Sequence, residues 1–357
     1  MEPTKPQLLD SLAEVDPKAR GWFTCYAMLR SWHERRTRDD KPFVDVEVSD
    51  QSATMRGNIW EDAQPAMDSI RDLDPGNPIK LLFQVTTYQG APQLTIRGIR
   101  VVTDADADDE SYRPAAVYGE GIELCEDLIC ETLVFDIETV PATDKRQLPT
   151  TVAEALGKYA ERKEMDTQAA MGLSPFFGKV ISLALGEGET HIDDQKVTVL
   201  LVPPPGQEDN DYPDWVRPMS EPDLLRAFWV LANAATTVVS FNGRGFDVPF
   251  LVTRSLVHEI PARVDLLGNR YALRPHLDLY QILTQGRYGG GPSNLDTICW
   301  ALDIKSPKGE MDGSMVASAY EQGNAEDIAT YNRADVTATT RVYHRVRDLM
   351  LRYRKDW

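Results

Sequence analysis

Histidine, paired cysteines, long apolar runs and excess positive charge are all scarce in this chain, and each scarcity removes a class of protein. The five histidines (His33, His191, His258, His276 and His344) show no metal-ligand spacing, which removes zinc-hydrolase chemistry. The four cysteines (Cys25, Cys125, Cys130 and Cys299) form no C-x-x-C pair and no dense framework, so they read as reduced thiols. The longest apolar-rich stretch, 224–239, is interrupted by Arg226 and Asn233 and is too short to span a bilayer. The first residues lack the basic-then-apolar layout of a signal peptide. There is no Walker-type loop and no G-x-S-x-G elbow. Gly289-Gly290-Gly291 lacks the G-K-[ST] continuation and reads as a flexible loop near a site mouth. A soluble, cytoplasmic protein without a membrane partner is expected.

Positive charge is the last shortage. Lys and Arg total 38 against 56 Asp and Glu, a net charge of −18, which on average opposes a phosphate-rich partner. The average conceals two local excesses. Residues 104–131 hold ten acids and one base, and residues 187–223 hold ten acids and two bases. Together they carry −17, so the rest of the chain is near neutral and the objection to nucleic acid lapses there.

At 357 residues and 42% hydrophobic content the chain is about twice a usual domain and can bury two cores. The acidic run marks the break: a first domain over 1–105, a solvated linker over 106–130, and a second domain over 131–357. Before the break lie short strands with turn signals, at 22–31, 43–48 and 55–60, followed by a hairpin of 81–88 and 93–102 around Gln89-Gly90. That is the pattern of a small all-β barrel, and its order, with a basic loop after the first strand, resembles an OB-fold. After the break, strands at 133–137, 180–185, 197–202 and 237–241 alternate with helical periodicity at 223–235, 248–257, 295–302 and 325–353, giving an α/β domain. The Pro- and Asp-rich stretch 203–222 reads as an exposed excursion.

Three acidic motifs fall in the second domain. Asp136 and Glu138 lie two apart on an apolar strand, so both point to one face, where a hard divalent cation such as Mg²⁺ or Mn²⁺ would offset their burial. Asn242, Phe246 and Asp247 follow a strand and a Gly-containing loop, with Pro249 in the first turn of a helix. There Asp247 suits either a helix cap or a ligand. Tyr331 and Asp335, four apart, share one helix face, a pair that alone is ordinary.

Taken in order, D-x-E, N-x3-F-D and Y-x3-D resemble the DEDD superfamily of 3′–5′ exonucleases, with a ribonuclease H-like fold, in its tyrosine-containing branch. The likeness is to the proofreading domain of family B DNA polymerases in stand-alone bacterial form, and the segments 295–300 and 311–316 share it. This resemblance implies removal of nucleoside 5′-monophosphates from the 3′ end of single-stranded DNA with two Mg²⁺ or Mn²⁺ ions, about 4 Å apart in such sites. It further implies that Asp136 bridges both ions, that Glu138 and Asp335 hold the nucleophile-side ion, and that Asp247 holds the other. Tyr331 would orient the attacking water, and Asn242 and Phe246 would line the pocket of the terminal nucleotide. An RNA exonuclease and a non-enzymatic single-strand binder are the alternatives.

In the first domain Trp32, His33, Arg35, Arg36, Arg38 and Lys41 crowd one short stretch. Aromatics interleaved with Arg suit a single strand, with bases stacked and phosphates paired, and Trp60 and Tyr88 are further candidates. The alternative is that Trp60 and Phe43 are core and the Arg cluster is a solvated loop. No residue pattern points to a protein partner.

Overall fold

A computed structural model of the chain describes residues 5–108, 111–269, 272–284, 293–307, 311–354 and 357. The run Gly289-Gly290-Gly291 lies outside them. Two compact units result, one of the residues up to Glu131 with Asn233–Thr236, the other of Thr132–Ala232 and Thr237–Trp357.

The first unit is built on one long strand. After the short β1 (Gln7–Leu8) comes β2 (Phe23–Arg36), followed by β3 (Pro42–Ser49), β4 (Thr54–Trp60), helix α1 (Gln64–Ser69), β5 (Pro78–Tyr88) and β6 (Ala91–Val101). A bulge between Leu29 and Ser31 bends β2, so its first half pairs with β5 and its second half with β3. β3 pairs with β4, β4 runs parallel to β6, and β6 pairs with β5, closing a five-stranded barrel. Gly57 makes the β4–β6 approach possible, because a Cβ there would lie 2.7 Å from Ile96 Cδ1. Val44, Val46, Ile59, Leu81, Phe83 and Ile96 fill the interior. The expected basic loop is a different object: Trp32, His33, Arg35 and Arg36 are part of β2, and only 37–41 turns.

The expected solvated linker is packed. It contains two short helices, α2 (Asp104–Ala107) and α3 (Pro114–Val117), and Tyr112, Val117, Tyr118, Ile122 and Cys125 are buried. Tyr118 donates to Gly76 O at 2.7 Å, and Asp106 accepts from Tyr26, Lys80, Arg100 and Thr103. Its acids are interleaved with apolar residues, and the charge total masks that interleaving.

The second unit is a mixed six-stranded sheet in the order β10-β9-β8-β7-β11-β12. Its strands are β7 (Thr132–Pro141), β8 (Gly178–Glu187), β9 (Val197–Leu201), β10 (Val216–Pro218), β11 (Thr237–Ser240) and β12 (His276–Asp278). β7 pairs antiparallel with β8 and parallel with β11. The helices are α4 (Thr150–Arg162), α5 (Thr167–Gly172), α6 (Glu221–Ala234), α7 (Asp247–Val257), α8 (Leu279–Thr284), α9 (Leu295–Ala301), α10 (Val316–Glu321) and α11 (Ala325–Leu349). α11 lies over β7, β8 and β9 and buries Ile328, Asn332, Val336, Thr339 and Val346, a stripe of helical period. The excursion 203–222 returns to the sheet as edge strand β10, and Trp215 packs on the core under Arg333.

Candidate active site

β7 sits inside the sheet, so its side chains are enclosed on both faces. Val134, Phe135 and Ile137 satisfy that placement, whereas Asp136 and Glu138 violate it on a single face. α11 brings Asp335 over that face. One carboxylate oxygen from each of Asp136, Glu138 and Asp335 lies within 4.8 Å of the other two, and this is the one such acidic, Cys or His grouping among the described residues. Asp247, buried at the start of α7, completes a four-acid cluster, its Oδ1 accepting the N–H of Ile137 at 3.2 Å. Phe246 holds the N-cap position of α7 and Asp247 stands one residue inside it, its carboxylate drawn to its own backbone N–H and to that of Ile137.

The cluster is electrostatically uncompensated. Burial, then the charges of Asp247, Asp335 and Glu138, push Asp136 well above the ordinary carboxylate range. Glu138 is raised in the same way by burial and by Asp335 and Asp247. Burial lifts Asp247 to about 7 against the pull of two backbone N–H groups. Burial lifts Asp335 to about 6, while a hydrogen bond from Tyr331 opposes the shift. None of the groups acting on Asp136, Glu138 or Asp335 is a cation. Converging hard oxygen donors that repel one another fit Mg²⁺ or Mn²⁺. Tyr331 is pushed far above the usual phenol range by burial and by the charges of Asp335, Glu138 and Asp136, so its hydroxyl keeps its proton and donates.

Register between helix and sheet is set by a buried polar contact. Asn332, next to Tyr331, donates from Nδ2 to Ser182 Oγ at 3.0 Å, and Ser182 is the β8 partner of Glu138. The bond ties the helix carrying Asp335 to the strand pair carrying Glu138.

The loop before α7 is held by residues the sequence patterns did not single out. Ser240 and Asp278 face each other across β11 and β12. Asp278 accepts the N–H groups of Asn242 and Arg244, each at 3.0 Å, and is itself raised by burial. His276 donates from Nδ1 to Leu266 O at 2.9 Å, so its Nε2 accepts from Ser240 Oγ at 2.7 Å, and Ser240 Oγ accepts from Gly243 N at 3.2 Å. Burial drops His276 to about 4, which keeps it neutral for that role. These bonds fix Asn242 in the left-handed region (φ 64°) and require glycine at 243, where a Cβ would sit 2.2 Å from Ser240 Oγ. Asn242 and Phe246 stay half-buried on this loop, Phe246 against Phe250. A signal existed for Asp278: an acid inside the apolar run Leu277-Asp278-Leu279.

The remaining candidates belong to the first unit. Phe43 and Trp60 are a cross-strand pair on β3 and β4 with ring centroids 5.2 Å apart. Their neighbours Val44 and Ile59 fill the interior, so the pair points outward and the core alternative for it falls. Arg35, opposite Phe43, pairs with Asp45 at 3.3 Å, and Arg36 pairs with Asp40 at 3.2 Å. Tyr88 is 62% exposed beside the Gln89-Gly90 turn. Trp32 differs: it packs against the barrel core and donates from Nε1 to Leu73 O at 3.1 Å. Among the described residues no helix is long and apolar enough to cross a membrane.

The chain is similar to several solved structures and to one protein family. No curated protein sequence matches the chain. The structure of the family B DNA polymerase from the archaeon Pyrobaculum calidifontis aligns with 14% identity and a TM-score of 0.41, over 90% of this chain and 46% of the polymerase. The chain thus spans about half that protein's length. A mitochondrial single-stranded DNA binding protein of S. cerevisiae aligns over 24% of this chain and 98% of its own, with 10% identity and a TM-score of 0.21. The second OB-fold domain of replication protein A from Methanococcus maripaludis aligns over 30% of this chain and all of its own, with 14% identity and a TM-score of 0.21. The family profile described as a predicted 3′–5′ exonuclease related to the exonuclease domain of PolB matches residues 175–355. That match takes in half of the chain, with Asp247, Tyr331 and Asp335 inside it, and the chain belongs to this family of predicted exonucleases.

Proposed function

We propose that the chain is a metal-dependent 3′–5′ exonuclease releasing nucleoside 5′-monophosphates from single-stranded DNA. The observation that carries this reading is the convergence of Asp136, Glu138 and Asp335 oxygens within 4.8 Å, an arrangement without internal charge compensation. Asp136, Glu138, Asp335 and Asp247 would hold two Mg²⁺ or Mn²⁺ ions. When bound, these ions supply charge neutralisation to both the attacking and the leaving oxygen of an in-line displacement at phosphorus. With Asp335 turned to an ion, the Tyr331 hydroxyl, which donates to Asp335 in the metal-free chain, would donate its one proton to the attacking water and orient it rather than act as a base. The loop of Asn242 and Phe246 is pinned rigidly enough to seat the terminal nucleotide.

The barrel unit is proposed as the strand holder. The outward Phe43–Trp60 pair, Arg35 beside it and the exposed Tyr88 support stacking and phosphate contact. A 5′-labelled single-stranded oligonucleotide with Mn²⁺ tests the reading. A ladder shortening from the 3′ end, lost in Asp136→Ala, is expected. Strand binding with no metal-dependent shortening would favour a binding protein instead. A matched RNA strand in the same assay decides the sugar preference, and DNA is expected to be cut faster.

A further inference from the structure

The order of the sheet gives a scissile phosphate two different sides. β7, which carries Asp136 and Glu138, lies between β11 and β8. β11 runs parallel to β7 and leads into the loop of Asn242 and Phe246, so a terminal nucleotide seated on that loop lies on the β11 side of the carboxylates. The rest of the strand, on the other side of the phosphate, then leaves towards β8.

β8 offers a cation there. Lys179 is the β8 partner of Val140, and it stands three residues, about 10 Å, along β8 from Ser182, the partner of Glu138. Its Nζ donates to Tyr320 Oη at 3.2 Å and lies 5.0 Å from the centre of that ring. Tyr320 and Tyr331 belong to one apolar cluster over Val140 and Ile181, which puts Lys179 on the carboxylate face of the sheet. Tyr320 donates its own proton to Pro203 O at 2.9 Å, so the ammonium keeps two of its three protons for other partners.

Among the described residues Lys179 has no ion-pair partner, in a chain of 56 acids and 38 bases. Burial lowers its pKa, and Glu221, the acid opposing that shift, has its own oxygens held by Arg254, His258 and the N–H of Val180. Lys179 borders a cavity of about 560 Å³, where Pro141, Pro204 and Tyr320 supply ring faces and Gln207 and Gln322 supply amides. Glu321, the other charged residue of the lining, is exposed and screened by solvent.

We infer that Lys179 and this cavity hold a backbone phosphate of the strand, on the 5′ side of the scissile linkage. The inference rests on the exonuclease reading for the direction in which the strand leaves. One ammonium meets one phosphodiester charge, and the ring faces pack against sugar. Neither contact reads a base, as removal of successive nucleotides requires. Lys179 thereby favours strands long enough to reach it over substrates that end at the scissile phosphate.

A pair of substrates that do and do not reach Lys179 tests this. With Mn²⁺, kcat/KM is measured for a thymidine tetranucleotide and for the p-nitrophenyl ester of thymidine 5′-monophosphate, which carries only a phenol beyond the scissile bond. Lys179→Met keeps an apolar stem on Tyr320 and removes the charge. The ratio of tetranucleotide to ester is expected to fall at least tenfold in it, through the KM of the tetranucleotide, and to stay within threefold of wild type in Lys179→Arg. An unchanged ratio in Lys179→Met overturns the site. A neutral methylphosphonate at the first or second linkage upstream of the scissile one provides a measurement on the wild type itself. At one of those positions it is expected to cost the wild type tenfold and Lys179→Met less than twofold. Equal losses in both chains at both positions overturn the contact. Hydrolysis of neither substrate by the wild type would sink the exonuclease reading. Binding of a labelled strand in Ca²⁺ then judges Lys179 alone: a log–log salt slope shallower by about 0.7 in Lys179→Met supports the phosphate contact, and an unchanged slope overturns it.

Discussion

Asp247 Oδ1 accepts the N–H of Ile137 at 3.2 Å, the amide lying between the two carboxylates of β7. One oxygen therefore holds α7 to the centre of β7 and adds negative charge to the same face. Substitution separates the two roles. Asp247→Asn keeps an acceptor for Ile137 but loses the charge, so Mn²⁺-dependent hydrolysis is expected to fall by about 10² or more while thermal stability is retained. Asp247→Ala also orphans a buried amide and is expected to cost about 1–3 kcal/mol more. Equal melting temperatures for the two variants would argue that the bond contributes nothing.

Without metal, the carboxylate cluster makes the chain less stable as pH rises. Asp247 titrates near 7 and Asp335 near 6 in the folded chain, with Asp136 and Glu138 also raised, against about 4 for carboxylates in an unfolded one. Between about pH 4 and 7 the folded chain holds protons the unfolded chain lacks, so stability falls across that window. The melting temperature in EDTA is expected to be several degrees lower at pH 7.5 than at pH 5.5 and to recover with Mn²⁺. Asp335→Asn should flatten the dependence. A rise with pH in EDTA, equal in the variant, would contradict an uncompensated cluster.

The legible part of this site was the part carried by long elements. Asp136 and Glu138 stand out because ten residues of apolar strand make their shared face visible. Tyr331 and Asp335 share a face in a helix of 25 residues. His276 was not visible, because a three-residue strand shows no period, and Asp278 offered only its place between two leucines. Trp32 was misplaced for a geometric reason. The bulge between Leu29 and Ser31 shifts the alternation of β2 by one, so Trp32 falls opposite the inward Val46. The segment 104–131 misled through composition, since ten acids hide the spacing of Tyr112, Val117, Tyr118 and Ile122.

Tyr331 is expected to act as a donor across the neutral pH range. Tyr331→Phe should lower kcat by about 10²-fold with little change in KM, because the lost group meets the attacking water and not the strand. The pH–rate profile of the wild type should show no limb from phenol ionisation below about pH 10, since burial, the leading cause of the upward shift, does not depend on the charges that the ions would neutralise. An alkaline rise present in the wild type and absent in Tyr331→Phe would assign it a base role.

Asp106 gives the first unit the opposite pH response. The Arg100 hydrogen bond, then Thr103 and Lys80, hold its carboxyl well below the usual range despite burial. Such a group contributes stability above the unfolded-state value near 4 and loses it as pH falls below that. Asp106→Ala is expected to destabilise the barrel by about 1–3 kcal/mol at pH 7, since Lys80 and Arg100 lose their shared partner while staying partly solvated. The difference from wild type should shrink below pH 4, measured by urea unfolding followed through tryptophan fluorescence. A pH-independent difference would reduce Asp106 to a packing residue.

Two tryptophans of the barrel should fail in different ways. Trp60 is half-buried, paired with Phe43 on the outer face of β3 and β4, whereas Trp32 packs on the core and bonds Leu73 O. Stacking of one base on an aromatic ring is worth about 1–3 kcal/mol, so Trp60→Ala should weaken single-strand binding about five- to hundredfold with a modest loss of stability. Tyr88→Ala should act in the same direction, and its exposed ring leaves stability untouched. Trp32→Ala should instead cost about 3 kcal/mol of folding stability, and below its melting temperature its affinity should stay near wild type. Fluorescence anisotropy with a labelled oligonucleotide, paired with thermal unfolding of the same samples, reads both quantities. If Trp32→Ala loses affinity while remaining as stable as the wild type, the inner placement of Trp32 and the assignment of the outer face both fail.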